Sequence, residues 1–234
     1  MLVRARNPLN IGAAARAMAN FGVSALRLVN PYSVAFREAR SAVGASDLLK
    51  RAGEYQTLAE AVADCTLVVG TTAVRNRALQ HPLHRLGDDS AREIRQHCKS
   101  GRVAILFGSE KIGLTNQDFS HCHWLLHIPM HAEHVSMNLG QAVAVCLYEV
   151  GRDSSPHPDA HDGDRATAAA NQQVSESLLE ALQLSEYVKP GSEAACERKT
   201  RRMVLRFNLA SEDATVFLGM VRQIVWRLRQ GRKD

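Results

Sequence analysis

The chain has 234 residues, of which 45% are hydrophobic and 23% charged, with a formal net charge of +5 and a pI near 9.1. That composition supports an ordinary globular core, and the mild basic excess points to a polyanionic partner without proving one. No run of 18 apolar residues occurs and no basic-then-apolar leader opens the chain, so membrane spanning and secretion are both disfavoured.

Met1, Leu2 and Val3 read as the tail of a strand whose beginning is cut short. A helix is predicted over 11–21, a strand over 25–29 and a helix over 58–63. Strands follow over 66–70 and 103–107, with a helix over 89–97 between them, then a strand over 124–128. A long apolar helix over 136–150 closes this part. Strands alternating with helices imply βαβ units and a mostly parallel sheet, so residues 1–152 read as one α/β domain. Residues 153–172 are Asp- and Ala-rich with almost nothing large and apolar, and read as a flexible linker. Residues 173–234 resume helical patterning over 174–184, 197–208 and from a Ser211, Glu212, Asp213 cap to about 229, giving a basic helical domain.

Five cysteines occur, with no CxxC pair, and Cys65 and Cys146 sit inside apolar runs. An odd number of buried-type thiols argues against a disulfide framework and for a reducing cytoplasm.

Three blocks carry candidate chemistry. Asn7 to Met18 (NPLNIGAAARAM) is a polar turn entering a helix of small residues, with Asn10 as its natural cap. Arg16 is a charge inside an apolar run, which is either a snorkelling arginine or a site residue. Phe107 to Leu114 (FGSEKIGL) follows a strand directly, where Gly-rich turns expose N–H groups to ligands. An ordinary strand-to-helix loop explains that segment equally well. His134 to Ala142 (HVSMNLGQA) enters an apolar helix; Ser136 and Asn138 are either simple caps or part of a ligand-holding turn. His121, His123, His127, His131 and His134 cluster in sequence with Cys122, but no pair has metal-ligand spacing, so no metal site is expected. GxGxxG followed by an acid about 20 residues on is absent, which argues against a nucleotide-dependent oxidoreductase.

Taken in order, these blocks resemble the three motifs of the SPOUT superfamily, in its TrmH-like branch of RNA 2′-O-methyltransferases. NIGAAARAMANFG (10–22) is similar to the first motif, ILFGSEKIGL (105–114) with HIPM (127–130) to the second, and VSMNLGQAVAVCLYE (135–149) to the third. Within that branch LVNP (28–31), GASD (44–47), LVVGTTA (67–73) and the helical tail resemble the TrmJ type, which modifies the ribose of nucleotide 32 in the tRNA anticodon loop.

The resemblance implies a mostly parallel α/β fold ending in a trefoil knot, plus a small all-helical C-terminal domain. It implies S-adenosyl-L-methionine as cofactor, tRNA as partner and a homodimer, with neither metal nor membrane. By position it assigns catalytic roles to Arg16, Glu110, Ser136 and Asn138. It assigns cofactor contacts to Thr71, Thr72, Ala73, Gly108, Ile128, Val135, Ser136 and Met137. In the tail, Arg198, Arg202 and Arg206 align at i, i+4 and i+8 as one basic stripe suited to a phosphate backbone, with a solvated helix face as the rival explanation. Methylation of ribosomal RNA or of another tRNA position is the alternative to nucleotide 32. A non-catalytic RNA-binding protein is disfavoured because Arg16, Glu110, Ser136 and Asn138 are all present.

Overall fold

The computed structural model describes residues 1–41, 47–73, 80–131, 136–152 and 164–230. The described strands are β1 (Leu2–Val3), β2 (Arg27–Val29), β3 (Gly53–Tyr55), β4 (Cys65–Thr72), β5 (Leu83–Arg85), β6 (Arg102–Leu106) and β7 (Trp124–His127). Every pairing among them is parallel, in the orders β1-β2-β3 and β5-β7-β4-β6. A parallel bridge from Leu2 to Phe107 joins the two sets, backed by Val3 N–H donating to the Phe107 carbonyl at 2.8 Å. The mostly parallel α/β sheet predicted from sequence is therefore present.

Both faces of this sheet are covered, which is why its strands read as continuous apolar runs. On one face Leu28, Leu67, Val69 and Leu126 pack with Ile11, Ala14 and Met18 of α1 (Pro8–Asn20). The same face takes Phe36 of α2 (Ser33–Ser41) and Leu49 of α3 (Asp47–Lys50). On the other, Val29, Val68, Leu106 and Leu125 pack with Leu58 and Val62 of α4 (Leu58–Val62). Ile94 of α5 (Asp88–Ser100) joins the first core, and Phe119 of α6 (Asn116–Phe119) the second. Helix α7 (Leu139–Gly151) lies against α1, so closely that a Cβ on Gly140 would stand 2.7 Å from the Ala13 Cβ. Small residues at both helices permit that approach.

In the α/β domain the starts of the first and last helices are corrected. Helix α1 is capped by Asn7, whose side chain accepts from Leu9 N–H, with Pro8 in the first turn. Pro suits that position because its missing N–H has no intrahelical partner there. Helix α7 starts after Asn138, whose side chain accepts from Gly140 N–H at 2.9 Å.

The tail holds α8 (Ala168–Leu184), α9 (Glu193–Arg206) and α10 (Ser211–Gln230). Helix α8 begins six residues before its expected start at 174, because Thr167 accepts from Ala170 N–H as its cap. Residues 164–172, expected in the linker, thus include a bridge from Arg165 to Ala210 and the first turns of α8. Of the expected linker, 153–163 lie outside the described residues.

A small core of Ala181, Val221 and Val225 joins α8 to α10. Among the described residues, two sets of hydrogen bonds help fasten the tail to the sheet body, beside the packing of Ala168 on the second core. Ala169 N–H donates to the Ala63 carbonyl at 2.9 Å. Arg201 of α9 is buried and donates to Ser120 Oγ at 2.8 Å, Gln172 Oε1 at 3.0 Å and Glu197 Oε1 at 2.5 Å. Arg201→Met is expected to destabilise the protein by about 1–3 kcal/mol, because Ser120 and Gln172 lose a buried donor. Equilibrium urea unfolding checks this; an unchanged midpoint would make the latch dispensable.

Candidate active site

The carboxyl ends of β4, β6 and β7 open onto one cleft of about 600 Å³. This is where an open parallel sheet places its ligands. Thr71, Thr72 and Ala73 line it from β4, Gly108 from the turn after β6, and Ile128 and Met130 from the segment after β7. Ser136, Met137 and Asn138 line it from the entry to α7. Of the eight expected cofactor contacts, seven therefore meet in one cavity. Val135 lies outside the described residues.

The turn after β6 is built for close approach. Gly113 takes a φ of 68°, in the left-handed region glycine favours, and its N–H donates to the Ser109 carbonyl at 2.8 Å. The chain thereby folds back over Gly108, where a Cβ would stand 2.1 Å from the Gly113 carbonyl carbon. Thr71 is fixed by donating its hydroxyl to the Leu106 carbonyl at 2.8 Å.

A polar chain joins the three sequence blocks. Glu110 accepts from Asn10 Nδ2 at 3.0 Å and from Arg6 and Asn7 N–H at 3.3 Å each. Asn10 Oδ1 in turn accepts from Asn138 Nδ2 at 2.8 Å. Burial alone would raise the Glu110 carboxyl, but these hydrogen bonds outweigh it and hold the group below its usual range. Glu110 thus lines the cleft with its carboxylate already committed to the start of α1. Asn10, read from sequence as a cap, is instead the link between the other two blocks. An Asn two residues after an Asn-Pro pair was the available signal, since Asn-Pro marks the cap itself.

Arg16 is not brought to the cleft. It stands exposed on α1 and is absent from the lining residues. At 100° per residue it shares a face with Leu9, Ala13 and Asn20, all exposed.

The sequence also did not disclose what supports the cleft from behind. Arg4, with a φ of 53°, grips Asp118 through both guanidinium nitrogens, and Asp118 accepts from Thr115 N–H at 2.6 Å. This sets Phe119, a lining residue, against the first strand. The histidines serve separate ends. His123 Nδ1 accepts from Val68 N–H at 3.1 Å, His127 Nδ1 lies 3.3 Å from the Thr72 carbonyl, and His121 contacts Arg201. Burial, with Arg201 nearby, pushes His121 down to about 4. His134 lies outside the described residues. Among the described residues no group of three His, Cys, Asp or Glu is placed to hold a metal, and no helix is long and apolar enough to cross a membrane.

In the tail, burial together with Arg206 and Arg198 lowers the Arg202 guanidinium, as expected of three like charges in one row. Arg201, from the same basic run, points the other way into its buried latch.

The sequence profile of the SpoU rRNA Methylase family matches residues 1–148. The chain belongs to the SpoU methylase family. It is a methyltransferase of that family, and full-length relatives define its nearer group. A TrmJ tRNA (cytidine/uridine-2′-O-)-methyltransferase of Sodalis glossinidius is 32% identical over 96% of this chain and 89% of its own length. The enzyme of the same description from Pectobacterium atrosepticum is 31% identical over 96% and 95%. The crystal structure of TrmJ from Z. mobilis ZM4 superposes with a TM-score of 0.79 at 30% identity, covering 95% of this chain and 96% of that one.

Proposed function

We propose that the protein transfers a methyl group from S-adenosylmethionine to a ribose 2′-hydroxyl of tRNA, at nucleotide 32 of the anticodon loop. The observation that carries this reading is the convergence of all three sequence blocks on one cleft, tied by Glu110, Asn10 and Asn138. The TrmJ descriptions of the full-length relatives supply the tRNA and the cytidine or uridine.

The cleft fits the cofactor on its own features. Its volume lies in the usual range for small-molecule sites. Leu114, Ile128, Met137 and Leu139 offer apolar walls for an adenine, and Thr71 to Ala73 with the Gly108 turn offer backbone groups for the polar end. When bound, S-adenosylmethionine supplies an electrophilic methyl group on its sulfonium. The chain's own residues must then set a 2′-hydroxyl in line with that methyl, and positioning of this kind can contribute about 7–11 kcal/mol of barrier reduction in good cases. We assign Ser136 and Asn138, both exposed and both lining the cleft, to orienting the incoming ribose.

Arg16 supplies the charge. A guanidinium that stays protonated is a poor general base, so its role is to hold an RNA phosphate and stabilise developing negative charge on the 2′-oxygen. Its exposed face on α1 requires delivery from a second subunit. Leu9, Phe21, Val145 and Tyr148 form an exposed apolar surface over α1 and α7, with Phe21 packed edge-on against Tyr148. A homodimer through this surface carries Arg16 toward the partner's cleft. We also assign the protein to a reducing cytoplasm, which suits an odd number of cysteines of which Cys65, Cys122 and Cys146 are buried.

We further assign residues 1–152 to catalysis and the tail helices to tRNA binding, and assign a trefoil knot to the end of the catalytic domain. Support for the knot is that β7 enters between β4 and β5 after the chain has already crossed to β6 on the far side of β4. Support for the tail's role is the Arg198, Arg202, Arg206 row. Replacing these three by Gln is expected to weaken tRNA binding at low salt, with the difference shrinking as salt rises. A filter-binding salt titration checks this; an unchanged affinity and salt slope would assign the tail to support alone. Isothermal titration with S-adenosylmethionine tests the cofactor reading, with one saturable site per chain expected and no heat of binding contradicting it.

A further inference from the structure

We infer that α10 carries a self-association surface of its own, pairing antiparallel with α10 of a second copy about a two-fold axis at Met220. The helix has two apolar faces. Ala214, Val221 and Val225, with Phe217 and Leu228, face inward to α8. On the other side Val216, Met220 and Ile224 recur at i, i+4 and i+8 and are 57%, 58% and 53% exposed. Nothing in the described structure covers them. Gly219 borders the stripe, and a Cβ there would meet nothing within 4 Å, which leaves room for a second helix to approach.

Charge decides the occupant. Glu212 and Asp213 stand at the start of α10, and Arg227 and Arg229 in its last turn. A parallel pairing would oppose acid to acid and base to base. An antiparallel pairing centred on Met220 sets Val216 against the partner's Ile224, Met220 against the partner's Met220 and Asp213 against the partner's Arg227. Each pair is equidistant from the centre in sequence, so one surface complements itself in charge and sets apolar against apolar, as an isologous contact requires. The two helix dipoles are then also opposed favourably. An RNA backbone fits less well, because the stripe's middle is apolar and one end is acidic. The surface is separate from the α1–α7 face invoked above, so either association can fail without the other.

Disulfide trapping in the full-length chain tests the register. In a Cys98→Ser, Cys196→Ser background, Met220→Cys should oxidise at micromolar concentration so that most of the chain runs as a covalent dimer on a non-reducing gel. Asp213→Cys and Arg227→Cys should each crosslink poorly alone, and should form the mixed disulfide efficiently when the two chains are combined. Failure of both Met220→Cys and the mixed pair would overturn the inference. So would a Met220→Cys chain that stays uncrosslinked and is shielded from a thiol reagent only when tRNA is added, which would give the surface to RNA instead.

Discussion

Arg16→Ala is expected to lower turnover by about 10²–10³-fold, the range for removing one stabiliser of developing negative charge, while S-adenosylmethionine affinity stays within a few-fold. The split follows from placement. Arg16 is exposed on α1 and contributes nothing to the cleft lining, so the cofactor pocket does not depend on it. Its face, shared with the strongly exposed Leu9, belongs to the surface proposed to pair two subunits. Single-turnover methylation and cofactor titration on the same preparation separate the two quantities. An equal loss of affinity and turnover would mark Arg16 as a structural residue of α1.

Gly108→Ala is expected to abolish measurable cofactor binding, by about 100-fold or more, because the added Cβ meets backbone rather than a side chain that can swing away. It would stand 2.1 Å from the Gly113 carbonyl carbon and 2.2 Å from the Leu114 nitrogen. The Ser109–Gly113 turn must then move, and that turn forms one wall of the cleft. Overpacking of this kind costs about 1–3 kcal/mol of stability, which the rest of the parallel sheet tolerates. Gly87→Ala is the control, since a Cβ there meets nothing within 4 Å and the residue does not line the cleft. Titration calorimetry with a urea unfolding curve on each variant gives both readouts. Normal binding by Gly108→Ala would show that the turn is not a cofactor wall. Arg16→Ala and Gly108→Ala together also test the subunit arrangement. Each is expected to be strongly impaired alone, and mixed dimers should regain activity if one chain's Arg16 serves the other chain's cleft.

The elements that build the cleft were legible in the sequence because both sheet faces are buried. The strands ending in Thr72, Leu106 and His127 are centred on apolar runs, and α1 and α7 combine length with small residues. The short pieces were not. Strands β3 and β5 have three residues each and α3 and α6 four, too few for any periodicity to register. Helix α2 is longer, but its masking polar residues hide the buried Ala35, Phe36 and Ala39.

At the site, sequence motifs named the residues that line the cleft but not their partnerships. Nothing in spacing shows that Glu110 reaches back over 100 residues to Asn10, or that Arg201 turns inward while Arg202 does not. Those outcomes depend on which helix faces meet, and that is decided by the tertiary packing of α1 on α7 and of α9 on the segment after α6.

The central claim is ribose methylation of tRNA, and mass-spectrometric mapping of the product tests it most directly. Purified protein, S-adenosylmethionine and an unmodified tRNA transcript bearing cytidine or uridine at nucleotide 32 are incubated and digested with nucleases. The account predicts a single new methyl group on the ribose of nucleotide 32, formed far more slowly when Arg16→Ala replaces the native chain. A methyl group on a base, or no methylation of any tRNA by a protein that binds S-adenosylmethionine, would contradict it.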